Sequence, residues 1–128
     1  MNESVAKCVL LADRHHGLTE GVRGLLQSMF EVVVMVADEP SLIESASRLK
    51  PVLAVVDLSL EHGGSLSWLA RLRAECPGLK VVVISVHDES GVERAAHAAG
   101  ADGFVLKRAI ATDLLPAAEA VLAGERYP

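Results

Sequence analysis

Val52–Val56 reads VLAVV and is closed by Asp57, an unbroken apolar run that stops at an acid. A segment that is apolar at every position, with no polar alternate, marks a strand covered on both faces. Four other runs share this character: Lys7–Ala12 (KCVLLA), Val32–Ala37 (VVVMVA), Lys80–Ile84 (KVVVI) and Gly103–Leu106 (GFVL). Between the runs, apolar residues recur at helical spacing. Leu18, Val22, Leu25 and Leu26 mark a first helix, and Leu42, Ile43, Ala46 and Leu49 a second. Leu66, Leu69 and Leu72 mark a third, and Val92, Ala95, Ala96 and Ala99 a weaker fourth. The fifth runs through Leu114, Leu115, Ala118, Val121 and Leu122. Five strands alternating with five helices predict an α/β domain with a parallel sheet.

The punctuation agrees with these limits. Lys50-Pro51 ends the second helix, because the residue before proline disfavours helical dihedrals. Pro77-Gly78 does the same for the third. Gly100 and Gly124 stand where left-handed caps would close the fourth and fifth. Pro116 must lie near the start of the last helix or bend it.

The chain has 128 residues, room for one core, and no repeat or linker divides it, so a single domain spanning 1–128 is expected. Twelve basic against seventeen acidic side chains give a net charge of -5, the wrong sign for a general nucleic-acid footprint. No apolar run approaches the roughly 18–20 residues that span a bilayer, and no signal peptide is legible, so a cytoplasmic chain without a membrane partner is expected. Cys8 and Cys76 lack the spacing of a zinc site or a disulfide framework, and Cys8 reads as a small buried strand residue.

In an open parallel sheet, ligands bind beyond the carboxyl ends of the strands. The first strand ends at Asp13, followed by Arg14, His15 and His16; the third ends at Asp57, the fourth at Ser85 and the fifth at Lys107. One polar strand end needs no explanation, since strands stop at solvent. Two carboxylates, a hydroxyl and an ammonium converging on the one edge this fold uses do.

This set resembles the receiver domain of two-component response regulators. The matching pieces are VLLAD (Val9–Asp13), LAVVDLSL (Leu53–Leu60), VVVIS (Val81–Ser85) and AGADGFVLK (Ala99–Lys107). The resemblance covers essentially the whole chain. The closing AVLAGERYP (Ala120–Pro128) and the His after the first-strand acids (His15) are similar to the LuxR-linked (NarL/FixJ-type) branch, whose receivers precede a helix-turn-helix output domain. The resemblance implies a doubly wound, flavodoxin-like sheet of strand order 2-1-3-4-5 with five helices. It also implies that Asp57 accepts a phosphoryl group from a sensor histidine kinase, assisted by Lys107 and Ser85. Asp13, Asp57 and the backbone carbonyl of Ser59 would hold Mg²⁺. Ser85 and Phe104 would switch the face of helix 4, strand 5 and helix 5 toward a second copy or an output domain. DNA would be reached only through a LuxR-type output domain, which these residues do not include.

The acidic pair expected after the first strand falls on Asp13 and Arg14, so a guanidinium replaces a carboxylate. Mg²⁺ prefers oxygen ligands in near-octahedral geometry, so its site is weakened or lost. Arg14 either pairs with Asp57 in place of the metal, or points away and leaves a weakened site that still supports phosphorylation. The first case makes the domain a phosphorylation-independent interaction module. A flavin or nucleotide binder of the same topology would need a Gly/Ser/Thr-rich phosphate loop after the first strand, and Arg14–Leu18 does not supply one. No base-activated nucleophile is legible, so no enzyme is expected. Adjacent His15 and His16 have no further Cys or His spaced to complete a metal site, and no metal is assigned to them. His62, His87 and His97 read as loop or helix-surface residues, and the loop Leu58–Gly64 lacks proline.

Overall fold

The computed structural model describes residues 7–60, 66–87 and 90–127. Its strands are β1 (Cys8–Ala12), β2 (Val32–Val36), β3 (Leu53–Asp57), β4 (Lys80–Ser85) and β5 (Gly103–Leu106). All pair in parallel, in the order β2-β1-β3-β4-β5, with five helices between and after them. These are α1 (His16–Gln27), α2 (Glu39–Leu49), α3 (Ser67–Glu75), α4 (Ser90–Ala98) and α5 (Ile110–Leu122). This is the expected doubly wound sheet, with β3 and β4 each extended to include its terminal polar residue.

The unbroken apolar runs of β1, β3 and β4 follow from cover on both faces, whereas β2, at the sheet edge, is apolar throughout yet only half-buried, with Val32 exposed. Leu10 and Ala12 face one core with Leu42 of α2, Leu69 of α3 and Ala96 of α4. Val9 and Leu11 face the other, with Val22 of α1 and Leu114 and Val121 of α5. Each such side chain, fully buried, stabilises the fold by roughly 1.5–3 kcal/mol before its entropy loss. The middle strand β3 is buried along its whole length.

Local chemistry sets the helix limits. Asp38 caps α2 by accepting a hydrogen bond from Ser41 N at 2.8 Å, and Pro40 fits the first turn, where no amide is needed. Lys50 ends α2 with φ 49°, so the residue before Pro51 leaves the right-handed helix for the left-handed region. Gly100 (φ 120°) and Gly124 (φ 89°) close α4 and α5 as expected, with Ala101 N returning to Ala96 O at 3.0 Å. Pro116 lies in the interior of α5, where it denies the Thr112 carbonyl its usual helical donor.

After α5 the chain returns to the open edge of β5. Tyr127 N donates to Asp102 O at 3.1 Å, and Tyr127 O accepts from Phe104 N at 2.8 Å. No helix among the described residues is long and apolar enough to cross a membrane.

Candidate functional site

Parallel pairing aims the strands' carboxyl ends at one edge, and register decides what meets there. Ala12 pairs with Val56, so the next step brings Asp13 level with Asp57. Asp57 itself pairs with Ile84, placing Ser85 one step further on, and Ser85 pairs with Leu106, just before Lys107.

Asp13 and Asp57 are each 2% exposed, a costly place for two like charges unless a cation joins them. Lys107 is that cation. Its Nζ lies 3.2 Å from Asp13 Oδ2 and 3.3 Å from Asp57 Oδ2. Burial pushes the Asp57 carboxyl up, but the Lys107 charge, two hydrogen bonds from Ser59 and one shared with Asp13 outweigh it and hold the carboxyl below its usual range. The Ser59 bonds run from its N to Oδ1 at 3.2 Å and from its Oγ to Oδ2 at 3.0 Å. They are set by the 3-10 turn Leu58–Leu60, whose two leucines are buried beneath it. The lowered value favours the ionised Asp57 carboxylate, beside the Lys107 charge.

His15 closes the pocket from the solvent side. Its backbone N donates to Asp13 Oδ1 at 2.8 Å, and its ring Nδ1 lies 3.3 Å from Asp13 Oδ1 and 3.4 Å from Asp57 Oδ2. Sequence reasoning read His15 as a mark of the branch and assigned it no metal, because no further Cys or His is spaced to complete a site. The partner that matters, Asp57, arrives through strand pairing. Lys107 and His15 both flank Asp57, and Arg14, next to His15 in the chain, is half-buried.

Other expected site residues take definite places. Ser85 is 1% exposed, and its Oγ accepts from His87 N at 2.9 Å, so the hydroxyl is engaged by its own loop. Phe104 is buried with Val83, Ala96 and Ala101, its ring turned inward. Trp68 on α3 is fully buried in the same core, with Leu58 and Leu60 of the turn after Asp57.

Two smaller expectations change. Cys8 is half-buried because it stands at the open start of β1, and its burial pushes the thiol up. His87 is exposed in its loop, but His97 is tucked against the protein, its side chain 9% exposed and its Nδ1 3.1 Å from Ala101 O. His62 and the loop beyond Leu60 fall outside the described residues, as does the side chain of His16.

The donor set suits a divalent cation. Asp13 and Asp57 offer carboxylate oxygens, and one ligating atom each from Asp13, His15 and Asp57 all lie within 4.8 Å of one another.

The description "response regulator receiver domain" belongs to the family whose profile matches residues 9–119. The transcriptional activator protein ExaE of Pseudomonas putida is 35% identical over 127 residues, 93% of this chain and 56% of that protein. The nitrate/nitrite response regulator protein NarP of Escherichia coli is 33% identical over 128 residues, 98% of this chain and 58% of that protein. The chain thus spans less than three fifths of the length of these curated relatives. A two-component response regulator of the LuxR family from Aurantimonas sp. SI85-9A1 superposes with a TM-score of 0.86 at 28% identity, covering 96% of this chain and 89% of that one. With the fold, the strand-end residues and the profile in agreement, the chain belongs to the response regulator receiver domain family, in its LuxR-linked (NarL/FixJ-type) branch.

Proposed function

We propose that this receiver accepts a phosphoryl group on Asp57 from a sensor histidine kinase and relays the change to a transcriptional output. The observation that carries the reading is the Asp57 carboxylate, buried, favoured in its ionised form, and 3.3 Å from the Lys107 ammonium. A carboxylate oxygen attacks phosphorus, the bond from phosphorus to the kinase imidazole breaks, and the imidazole nitrogen keeps the electron pair. The product is an aspartyl phosphate, an acyl phosphate. Lys107 neutralises charge on the transferring oxygens, and the Ser85 hydroxyl, released from His87, donates to one of them. Mg²⁺, held by Asp13, Asp57 and the Ser59 carbonyl, would neutralise further phosphoryl charge.

The output follows from differential contacts. Once Ser85 turns to the phosphoryl group, its loop leaves the arrangement fixed by the Ser85–His87 bond, and Phe104 is retained in its inward position. The α4–β5–α5 face then packs against a second copy or an output domain. Two facts support a transcriptional role: the kinship with a transcriptional activator and the LuxR-family structural neighbour. Residues 1–128 then form one receiver domain acting in the cytoplasm, with DNA met through a LuxR-type domain.

The test is incubation with Mg²⁺ and acetyl phosphate, followed by intact mass measurement of the wild type, Asp57→Asn and Arg14→Asp. A phosphoryl adduct on the wild type, absent from Asp57→Asn, is expected. No adduct on the wild type but one on Arg14→Asp would assign the chain instead to phosphorylation-independent interaction.

A further inference from the structure

We propose that Glu125–Tyr127 is a strap on the outer edge of β5, docked while the Phe104 ring is inward and released when the ring leaves. It would carry the state of that ring to any chain that continues beyond the strap. The inference rests on the receiver reading only in taking Phe104 as the residue that moves.

Local geometry brings the strap back to the sheet. α5 ends at Gly124, whose φ of 89° reverses the chain, and Glu125 N donates to Ala120 O at 2.9 Å. Two residues later, Tyr127 forms a parallel bridge with Gly103. An edge strand leaves N–H and C=O groups without a neighbouring strand, and the strap takes one of each from β5: the Phe104 amide and the Asp102 carbonyl. Gly103 permits the close approach. A Cβ there would lie 3.1 Å from Val121 Cγ1, 3.2 Å from Val82 Cγ2 and 3.5 Å from Tyr127 O. The half-buried Tyr127 side chain packs against the core that holds Val105 and Val121.

The two bonds differ in what holds them. Asp102 is fixed, because its Oδ2 accepts from Val81 N at 2.9 Å and from the Arg73 guanidinium, which also donates to Gly100 O at 2.9 Å. Its own amide donates to Val81 O at 2.8 Å. The second bond instead has its donor in the backbone of Phe104, whose ring is buried in the opposite core with Val83, Ala96 and Ala101. Strap and core thus grip one residue from edge and face, and each favours the position in which the other fits. Withdrawal of the ring frees β5 on that face, shifts the Phe104 amide and leaves the strap only its bond to Asp102. By the same linkage, a docked strap favours the inward ring.

Hydrogen exchange at single amides, read by NMR on the isotope-labelled chain, tests the coupling. In the wild type the Tyr127 amide should be protected. In Phe104→Ala it should exchange at least about fivefold faster, while the Asp102 amide keeps its protection. Tyr127 N donates to Asp102 O and not to Phe104, so this readout does not move through loss of its own partner. An unprotected Tyr127 amide in the wild type, an unchanged rate in Phe104→Ala, or equal acceleration at Asp102 would overturn the proposal. Tyr127→Gly, outside every helix and strand, gives the reciprocal test even if Phe104→Ala folds poorly. Nuclear Overhauser contacts from the Phe104 ring to the Ala96 and Ala101 methyls should weaken in it, and contacts of undiminished strength would overturn the coupling. Beryllofluoride with Mg²⁺ separates the two readings, and slower Tyr127 exchange in its presence supports both. Beryllofluoride bound at Asp57 with no change at Tyr127 sinks the strap and keeps the phosphoacceptor; coupling in Phe104→Ala with no beryllofluoride bound does the reverse.

Discussion

Replacing Lys107 by methionine keeps the length of the side chain and removes the charge that joins the two buried acids. Its contacts at 3.2 and 3.3 Å are each worth about 5 kcal/mol of attraction at an effective dielectric near 20. The ammonium, only 10% exposed, regains its own desolvation cost when it is removed, so the loss is smaller than the sum. Removing one partner of a buried pair costs about 3–5 kcal/mol, and the neighbouring His15 places Lys107→Met at the lower end, about 3 kcal/mol at pH near 7. Linkage supplies the second, sharper expectation. In the wild type Asp57 lies below its unfolded value of 3.8, so its stabilisation is complete above that value and is lost only as pH falls through the folded one. Without Lys107, burial dominates and raises the folded value. A raised carboxyl contributes stability at low pH and loses it as pH rises through the folded value. The gap between variant and wild type should therefore be wide at pH about 7 and narrower at pH about 5. Urea denaturation followed by far-ultraviolet circular dichroism at the two pH values measures both. Equal midpoints at neutral pH, or a gap independent of pH, would refute the electrostatic account of this pocket.

Three further variants test the scaffold around the site. Gly100→Ala should lower stability by roughly 1–3 kcal/mol in urea unfolding, because φ is 120° there and the new Cβ would lie 3.2 Å from Arg73 Cγ. Lys50→Gly should raise stability by about 0.5–1 kcal/mol, since relief of the left-handed lysine exceeds the added entropy of the unfolded chain; a lower midpoint would contradict this. Trp68→Ala should cost about 3–5 kcal/mol through the cavity it leaves, read as a fall in Tm.

The architecture was legible because its cause is local. A strand buried on both faces must be apolar throughout, and five apolar runs with 3.6-periodic segments between them point to an α/β sheet, although the edge strand β2 is only half-buried. The glycine caps at Gly100 and Gly124 were legible for the same reason, since each depends on a backbone conformation that glycine reaches without strain. Lys50 is an instructive variation: Pro51 did end α2, but through a left-handed residue rather than an extended one. His97 was read as a loop or helix-surface residue, and only the return of the chain at Ala101 gives its ring a backbone carbonyl to pair with.

At the site, the residue types at the strand ends sufficed to name Asp13, Asp57, Ser85 and Lys107, because a parallel sheet sends every carboxyl end to one edge. Which of them touch is a matter of register and turn geometry, and these are non-local. Pairing of Ala12 with Val56 sets Asp13 beside Asp57, and the turn after β5 carries Lys107 between them. The same edge leaves Ser85 engaged by His87 and brings His15 against both carboxylates. The alternation of apolar segments thus sufficed for the α/β class and for which groups reach its working edge, while the strand order was implied by the family resemblance. The pairing of those groups, and with it the charge balance of the pocket, came only with tertiary structure, because it is made between residues more than forty positions apart.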